Sequence, residues 1–258
     1  MKTALCTIAF KDRPFEDVLD LAVQAGFDGV EPWGKPHHMP ASYNAEENRR
    51  IARSIRERGL EVSQYGSYIN PVSAGFEREM AEGLDTASDL GADRIRVWAG
   101  SCGSDEATDE DWRNAVSGFR RFADRAGDRG MSLVLEMHLG YLSDTADGSL
   151  RLVEGVARHN FLLNFQPMYT DNARRVIAVA RQVAPHVATV HAQNYASEGR
   201  NARSLISEGY VDYREVVREL SAAGFDGYLE VEFVRDDDPG AALIADAGFL
   251  RGLCETAY

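Results

Sequence analysis

The chain repeats one kind of joint, in which a helix-like segment ends at a glycine and an apolar or β-branched stretch begins within a few residues. A glycine just past a helix end accepts the left-handed conformation that turns the chain back. Two further joints use other helix stops, because Asn160 tolerates positive φ and Pro185 cannot continue a helix. The five glycine joints lie at residues 25–31, 58–62, 90–95, 129–133 and 223–228.

Following these joints along the chain predicts eight strands, each succeeded by an amphipathic helix. Strict alternation of this kind predicts an α/β fold, a single (β/α)8 TIM barrel. A doubly wound open sheet is the alternative, but no Gly-x-Gly-x-x-Gly motif follows the first strand to favour it. The predicted strands cover residues 3–9, 28–33, 60–66, 94–99, 132–138, 161–166, 187–192 and 228–233.

Length and composition are compatible with one barrel domain over residues 1–258. With 44% apolar and 27% charged residues the chain has an ordinary globular composition, and its longest apolar runs have the length of strands, so no membrane association is expected. Cys6, Cys102 and Cys254 follow no paired spacing, which favours free thiols in a reducing cytoplasm. The net charge of −13 would repel phosphate backbones, so no nucleic-acid partner is expected.

Four predicted strands carry a side chain of metal-ligand type near their carboxyl ends, namely Glu136, Gln166, His191 and Glu232. Alternate side chains of a strand share a face, so these groups converge if the strands are parallel neighbours. Oxygen and imidazole donors without thiolates suit a divalent cation such as Mn²⁺, Mg²⁺ or Co²⁺. The sequence therefore predicts a metal site, and its place among the long loops of a barrel mouth predicts a catalytic one.

Several motifs resemble those of the xylose isomerase-like TIM barrels, the family of sugar phosphate isomerases and epimerases. They are Gly-Phe-Asp-Gly-Val-Glu at residues 26–31, Glu-x-His at 136–138, Glu-Gly-x-Val-Asp at 208–212 and a last strand that ends in Glu. The resemblance covers nearly the whole chain. It implies that Glu136, Gln166, His191 and Glu232 hold the metal, because the family uses Glu, Asp, His and Glu there.

The sequence departs from the family pattern at three positions. Gln166 stands where the family usually has Asp, Asn194 ends a run that usually ends in Asp, and Tyr169 stands where some members have His. An amide oxygen is a neutral ligand, so two glutamates would leave a divalent site neutral, with weaker binding and stronger Lewis acidity. The alternative is that this site has lost its metal.

Glu136 and Glu232 are the predicted catalytic acid and base, and His138 is predicted to shuttle a proton or hold a substrate hydroxyl. The alternative for the glutamates is a buried ion pair with Arg94 or Arg96, and for His191 a hydrogen-bonded place in the core. Glu230 is expected to support the ligands. The predicted substrate contacts are Glu31, Trp33, His37, Trp98, Asn164, Gln193 and Arg203.

Two pairs of residues that lie close together in the sequence have two alternative interpretations, contact with the substrate or exposure to solvent. His37 and His38 are expected to be solvated, with one of them reaching the substrate. Arg200 and Arg203 lie in the long loop after the seventh strand, where they either meet a carboxylate or phosphate or remain solvated.

A metal between two glutamates predicts proton abstraction next to a carbonyl and an enediolate. The first function hypothesis is an isomerase or epimerase of a carbohydrate-like small molecule, and the second is a lyase, either a dehydratase or an enzyme that cleaves an oxidised glycoside. The third is a metal-free carbohydrate-binding barrel. A DNA-repair endonuclease would need a richer metal cluster and a basic surface, and six histidines at net charge −13 argue against it.

Two features of the substrate and the assembly are also expected. No glycine-rich phosphate cup follows the seventh strand, which favours a substrate without phosphate. The family resemblance implies a homo-oligomer, since relatives are often dimers or tetramers.

Overall fold

A computed structural model describes residues 1–199 and 202–256 of the chain. Within these residues the strands in chain order are β1 (Lys2–Cys6), β2 (Gly29–Glu31), β3 (Glu61–Val62), β4 (Arg94–Val97), β5 (Ser132–Glu136), β6 (Phe161–Phe165), β7 (Val187–Ala192), β8 (Asn194–Tyr195), β9 (Arg203–Ser204) and β10 (Tyr228–Val231). The α-helices are α1 (Phe15–Ala25), α2 (Ala45–Glu57), α3 (Phe76–Leu90), α4 (Asp109–Gly127), α5 (Ala146–Val156), α6 (Ala173–Val183), α7 (Tyr213–Ala222) and α8 (Pro239–Thr256). Short 3₁₀ turns cover Thr7–Phe10 and Ala184–His186.

Eight of the strands form one parallel sheet in the order β3-β2-β1-β10-β7-β6-β5-β4. Its two end strands meet at Tyr65, whose amide donates to the Arg94 carbonyl at 2.9 Å and whose carbonyl accepts from the Arg96 amide at 2.9 Å. The sheet therefore closes into a barrel surrounded by helices, which confirms the predicted TIM barrel. β8 and β9 form a separate antiparallel hairpin in the loop after β7.

The glycine joints of the sequence are helix ends in the structure. Gly26 and Gly91 follow α1 and α3 with φ of 77° and 74°, which a residue with a Cβ rarely adopts. The joint before β6 differs from the prediction, because Ala157 takes the left-handed conformation with φ of 51° and Asn160 does not. The Asn160 amide instead donates to the carbonyls of Ala123 and Met131, which ties α4 to the start of β5.

Seven of the eight predicted strands end earlier than expected, β1 and β3 by the most. β1 ends at Cys6 and continues as a 3₁₀ turn rather than reaching residue 9. β3 pairs regularly only over Glu61–Val62, and the chain then touches its neighbours through single bridges at Tyr65 and Gly66. A side chain at Gly66 would collide with its surroundings, since an added Cβ would lie 2.6 Å from Glu31 Oε1 and 2.9 Å from the Pro32 carbonyl oxygen.

Alternation along the strands separates an apolar layer from a polar interior. Leu133 and Leu135 of β5 join the hydrophobic core between sheet and helices, whereas Glu136 faces the barrel axis. On the helix side, Phe119 of α4 lies fully buried with its ring 4.8 Å from that of Phe161. Burial of one such aromatic side chain stabilises the fold by about 1.5–3 kcal/mol. Burial of the apolar layer thus stabilises the fold, whereas the barrel interior contains polar groups.

None of the helices in the described ranges is long and apolar enough to cross a membrane.

Candidate metal centre and active site

A cluster of charged side chains fills the barrel interior near the carboxyl ends of the strands. Its members are Glu31, Arg96, Glu136, His191, Glu230 and Glu232, each at most 5% exposed. Isolated charges at such depth are expensive, so a stable interior must pair them or bind a counter-ion. Four carboxylates face one guanidinium and one imidazole, which leaves an excess of negative charge.

His191, on β7, lies at the centre of this cluster. Its Nε2 atom is 2.7 Å from Glu31 Oε2 and 3.4 Å from Glu230 Oε2, while Nδ1 is 3.4 Å from Glu232 Oε1. Burial alone would lower the pKa of His191, but the charges of Glu31 and Glu232 outweigh it and raise that pKa well above its ordinary value. This shift favours the protonated imidazole, and a metal ion bound to a ring nitrogen would take the place of its proton.

Arg96, on β4, joins two of the glutamates. Its Nη1 atom is 3.0 Å from Glu31 Oε1 and its Nε atom is 3.1 Å from Glu136 Oε2. Burial pushes the pKa of Glu31 up, but the charges of Arg96 and His191 outweigh it and hold that pKa below its usual range. Burial raises the pKa of Glu136, and Arg96 opposes this rise. The ion pair expected as the alternative for Glu136 thus exists, and it involves Arg96, whereas Arg94 pairs with Asp93 outside the interior.

Gln64 connects the same network from the segment after β3. Its amide donates to Glu31 Oε2 at 3.2 Å and to Glu230 Oε2 at 2.9 Å. Burial and the charge of Glu31 raise the pKa of Glu230 to about 7. Gln64 therefore binds the two glutamates that flank Nε2 of His191.

The other side of His191 offers a set of donors that fits a divalent cation. One ligand atom each of Glu136, His191 and Glu232 lie within 4.8 Å of one another. Within the described residues, Gln166 Oε1 and His191 Nδ1 have no hydrogen-bond partner, and Glu136 Oε2 has only its ion pair with Arg96. Gln166 directly follows β6 and is 7% exposed. Buried oxygen and nitrogen atoms without partners are what an N/O metal site would leave when its ion is removed.

A second group of potential ligands lies on the Nε2 side of His191. Cys6, Glu31 and His191 also have ligand atoms within 4.8 Å of one another. Burial, together with the charge of Glu31, raises the pKa of the Cys6 thiol well above its ordinary value. Because the thiolate and not the thiol is the metal ligand, Cys6 is a weak donor in this environment.

Glu232, just beyond β10, is held by a chain of hydrogen bonds. Gln193 donates from Nε2 to Glu232 Oε2 at 2.7 Å, and Tyr195 donates to Gln193 Oε1 at 3.2 Å. The Tyr213 hydroxyl donates to the Gln193 carbonyl at 2.9 Å. Gln193, predicted as a substrate contact, thus orients a carboxylate of the cluster.

Aromatic rings line one side of the barrel mouth above the cluster. Trp98 stacks on Tyr68 with ring centroids 5.3 Å apart, and it contacts His138 at 5.0 Å and Tyr141 at 4.7 Å. The Trp33 indole donates to the Tyr68 hydroxyl at 2.8 Å. Three predicted residues, Trp33, Trp98 and His138, therefore belong to one aromatic wall.

The remaining predicted residues have varied positions. Asn164 of β6 is fully buried, and in the described part of the chain neither of its side-chain polar atoms has a hydrogen-bond partner. Arg203 of β9 lies 4.4 Å from the Phe233 ring centre and 3.8 Å from Asp236. His37 is exposed and has φ of 83°. Arg200 lies outside the described residues.

The expectation that His38 is solvated is wrong. His38 is 2% exposed, and its ring nitrogens lie 2.9 Å from the Thr7 hydroxyl and 3.1 Å from the Arg13 carbonyl oxygen. The loop after β2 folds back over the 3₁₀ turn that follows β1. The His38 ring is therefore buried between this loop and the segment of Thr7 and Arg13, with which it makes its contacts.

Three residues of the site were missed or misjudged in the sequence. Gln64 and Tyr68 were not considered, and Arg96 was considered only as an ion-pair partner. The signal for Arg96 was available, because it lies two residues before Trp98 and therefore shares the inward face of β4. Gln64 carried a weaker signal, since regular pairing of β3 ends at Val62.

The chain is similar to enzymes of known activity. It is 26% identical over 243 residues to a 3-dehydroshikimate dehydratase of Bacillus anthracis, which covers 85% of this chain and 87% of the relative. It is 23% identical over 252 residues to a fructoselysine 3-epimerase of Escherichia coli O157:H7, which covers 91% of this chain and 90% of the relative. The relatives thus include a lyase and an epimerase, and both are enzymes, as predicted for this chain.

Solved structures share the fold at lower identity. A xylose isomerase-like TIM barrel protein of Mycobacterium smegmatis, solved in complex with magnesium, is 17% identical with a TM-score of 0.76, over 100% of this chain and 98% of that one. The sequence model described as xylose isomerase-like TIM barrel matches residues 19–253. The chain therefore belongs to the xylose isomerase-like TIM barrel family.

Proposed function

We propose that the protein is a divalent-metal-dependent isomerase or epimerase that acts on a sugar, cyclitol or hydroxy-carbonyl compound. The observation that carries the proposal is the convergence of Glu136, His191 and Glu232, whose ligand atoms lie within 4.8 Å of one another at the catalytic end of the barrel. Gln166, with its unpartnered buried oxygen, completes the proposed ligand set.

A Mn²⁺, Mg²⁺ or Co²⁺ ion bound there would polarise the substrate carbonyl and acidify the neighbouring C–H bond. Charge supports a divalent cation, because four buried glutamates face Arg96 and His191 alone in the cluster. Glu136 and Glu232 would bind as carboxylates, Gln166 through its amide oxygen and His191 through a ring nitrogen.

The two proposed ligand carboxylates also supply the proton transfers. Glu136 takes the proton from the carbon next to the carbonyl, and Arg96 at 3.1 Å keeps this carboxylate oriented. Glu232, oriented by Gln193, takes up a proton from solvent and delivers it to the enediolate, and Glu136 releases to solvent the proton that it took. Delivery to the opposite face of the same carbon gives an epimer, and delivery to the neighbouring carbon gives an aldose–ketose isomer.

The mouth supplies the proposed substrate contacts. Trp33 and Trp98 present aromatic surface to the C–H faces of a polyhydroxylated substrate, and His138 beside Trp98 binds a hydroxyl or passes on a proton. Asn164 has buried polar atoms free for a hydroxyl. His37 and Arg203 lie in loops of the mouth and are proposed as outer contacts.

A lyase is the second candidate, and the similarity to the 3-dehydroshikimate dehydratase favours it. The first step is the same abstraction of a proton next to a carbonyl. In a lyase the C–O bond at the β-carbon then breaks, and the oxygen leaves with the electron pair of that bond. The other carboxylic acid protonates the leaving oxygen, so that water is released.

Metal analysis followed by isotope exchange tests the proposal. The purified protein is analysed for bound metal, loaded with Mn²⁺, and incubated in D₂O with fructoselysine and, separately, with 3-dehydroshikimate, and the products are identified by NMR. Deuterium incorporation with an epimerised or isomerised product supports the isomerase, and loss of water indicates the lyase. If the protein binds no divalent metal and exchanges no proton, the proposal is wrong and a metal-free carbohydrate-binding barrel takes its place.

We also propose a cytoplasmic, homo-oligomeric enzyme with a small molecule as its partner. The three cysteines are free, which is compatible with a reducing compartment.

A further inference from the structure

His191 belongs to two groups of potential metal ligands, and a glutamate of each group lies beside a different ring nitrogen. Glu232 lies 3.4 Å from Nδ1, and Glu136 belongs to the same group. Glu31 lies 2.7 Å from Nε2, and Cys6 belongs to that group. A neutral imidazole offers only one unprotonated nitrogen, so the position of its proton decides which group a cation can join.

The carboxylate of Glu31 is held in place on both sides. Oε1 is 3.0 Å from Arg96 Nη1, and Oε2 accepts from Gln64 at 3.2 Å as well as from His191. The absence of a side chain at Gly66 makes room for this carboxylate, because an added Cβ would lie 2.6 Å from Oε1. Glu31 therefore presents a fixed acceptor to Nε2.

We infer that Glu31 is a positioning residue: it holds the proton of His191 on Nε2 and so directs Nδ1 to the cation of the proposed metal site. This inference rests on the proposed function, and it adds the identity of the ligating atom and the residue that selects it. Metal-bound histidines commonly donate their second N–H to a carboxylate, which fixes ring orientation and strengthens the ligand. It also explains why a fully buried carboxylate contacts His191, Arg96 and Gln64.

The arrangement excludes the Cys6 side as a metal site. A cation there would need Nε2 without its proton and would have to displace the bond of 2.7 Å to Glu31. With Nε2 protonated, Cys6 and Glu31 retain no imidazole ligand, and a hard cation is left with the oxygen-rich group around Glu136 and Glu232.

Nuclear magnetic resonance on the intact protein identifies the ligating nitrogen without any measurement of activity. Protein labelled with ¹⁵N-histidine is loaded with ¹¹³Cd²⁺, and the His191 signals are assigned by comparison with His191→Asn. We expect ¹¹³Cd–¹⁵N coupling at Nδ1 and a proton retained on Nε2. Coupling at Nε2, or a ¹¹³Cd shift typical of a thiolate ligand, would overturn the inference while leaving a metal site in place. Failure of the protein to bind cadmium would overturn the proposed function together with it.

A pair of variants, each of which replaces one glutamate near Nε2 by glutamine, tests the role of Glu31. Glu31→Gln and Glu230→Gln each remove one buried carboxylate near Nε2, but Glu230 lies at 3.4 Å and Glu31 at 2.7 Å. Calorimetric titration with Mn²⁺ should show at least about a tenfold loss of affinity for Glu31→Gln and a clearly smaller loss for Glu230→Gln. Equal losses would mean that the site responds to negative charge alone, and the positioning role would be wrong.

Discussion

Gln166 is the residue at which the proposed ligand set differs from the family pattern, and its surroundings are compatible with an amide ligand. Its oxygen is buried without a hydrogen-bond partner in the described structure, so it is free to bind a cation. Glu31 and Glu230 already place extra negative charge around His191. A third ionised ligand carboxylate is therefore not needed to balance a divalent ion.

The first prediction concerns Gln166→Asp. A carboxylate in place of the amide should raise Mn²⁺ affinity by about tenfold or more and lower turnover, because it reduces the Lewis acidity of the bound ion. Calorimetric titration measures the affinity. Asn164→Asp is the matched control, since Asn164 is buried on β6 two residues before Gln166 and is not a proposed ligand. A gain in affinity that is equal in the two variants would show that the charge acts at a distance and that Gln166 is not a ligand.

The second prediction separates metal binding from proton transfer. Glu136→Gln and Glu232→Gln each keep an oxygen donor but remove a base, so solvent deuterium exchange into the substrate should fall by at least about 10²-fold. His138→Asn should be milder, because its Nδ1 contacts the Leu139 carbonyl oxygen and its ring packs on Trp98. If both glutamine variants bind metal and still exchange normally, His138 becomes the candidate base.

At the scale of residues, the sequence predicted which side chains face the interior better than it predicted their partners. Alternation along a strand assigns Glu136, His191 and Glu232 to the inner face, and their ligand atoms do converge. The contact of Glu31 with His191 joins β2 to β7, which are separated in the sheet by β1 and β10. Such a contact across the barrel depends on the strand register and closure, which a local pattern does not contain.

At the scale of elements, the loop after β7 is fastened to the last helix by one buried carboxyl group. Asp246 of α8 accepts a hydrogen bond of 2.7 Å from the Ile206 amide, and its second oxygen has no partner within the described residues. Burial raises the pKa of Asp246 to about 6, while the Ile206 amide and the Arg235 charge act in the opposite direction and the Glu208 charge adds to the rise. Asp246 therefore keeps its proton to a higher pH in the folded protein than in the unfolded chain.

The third prediction follows from the sign of that shift. A raised folded-state pKa adds stability below the unfolded-state value of 3.8, and this stability is lost as the pH rises through about 6. The Asn side chain of Asp246→Asn cannot ionise. Its free energy of unfolding relative to wild type should therefore rise by about 1–3 kcal/mol as the pH is raised from about 4 to about 8. Urea denaturation of both proteins at the two pH values measures the change.

Asp147→Asn is a control for that prediction, because Asp147 is an exposed residue at the start of α5. It removes an exposed acidic group and gives the background effect of an Asp→Asn change under the same conditions. A relative stability of Asp246→Asn that does not vary with pH would show that Asp246 is ionised in the folded protein throughout this range.

The element order was predictable because each helix end carries its own local signal. Gly26 and Gly91 turn the chain in the way their positions indicate, and the eightfold alternation then leaves a barrel as the favoured fold. The predicted third strand, residues 60–66, is longer than β3. Its residues have strand character, but the close approach of Gly66 to the Glu31 carboxylate depends on the fold and leaves no signal in the local sequence. The two-residue strands β8 and β9 were not predicted, since so short a hairpin leaves no periodic pattern.

At the scale of the whole molecule, closure of the barrel brings several carboxylates close together, and a bound cation would reduce the repulsion between them. The side chains of Glu31, Arg96, Glu136, Asn164, His191 and Glu230, from β2, β4, β5, β6, β7 and β10, lie in the barrel interior, and the surrounding apolar layer excludes water from them. Arg96 neutralises part of this charge through Glu31 and Glu136. His191 lies 3.4 Å from both Glu230 and Glu232, and a bound divalent cation would offset the repulsion that remains between the carboxylates.

The last prediction is that divalent metal stabilises the entire fold. An ion that binds only the folded state at about 100 times its dissociation constant adds about 2.7 kcal/mol, which for a chain of this size raises Tm by about 5–10 °C. Calorimetry of the protein stripped with EDTA, with and without added Mn²⁺, measures the shift. Glu232→Gln should reduce the shift, whereas Glu154→Gln, on the exposed face of α5, should retain it. A Tm that does not change with Mn²⁺, Mg²⁺ or Co²⁺ would mean that the interior charge is balanced by protons on the carboxyl groups and on His191 rather than by a metal ion.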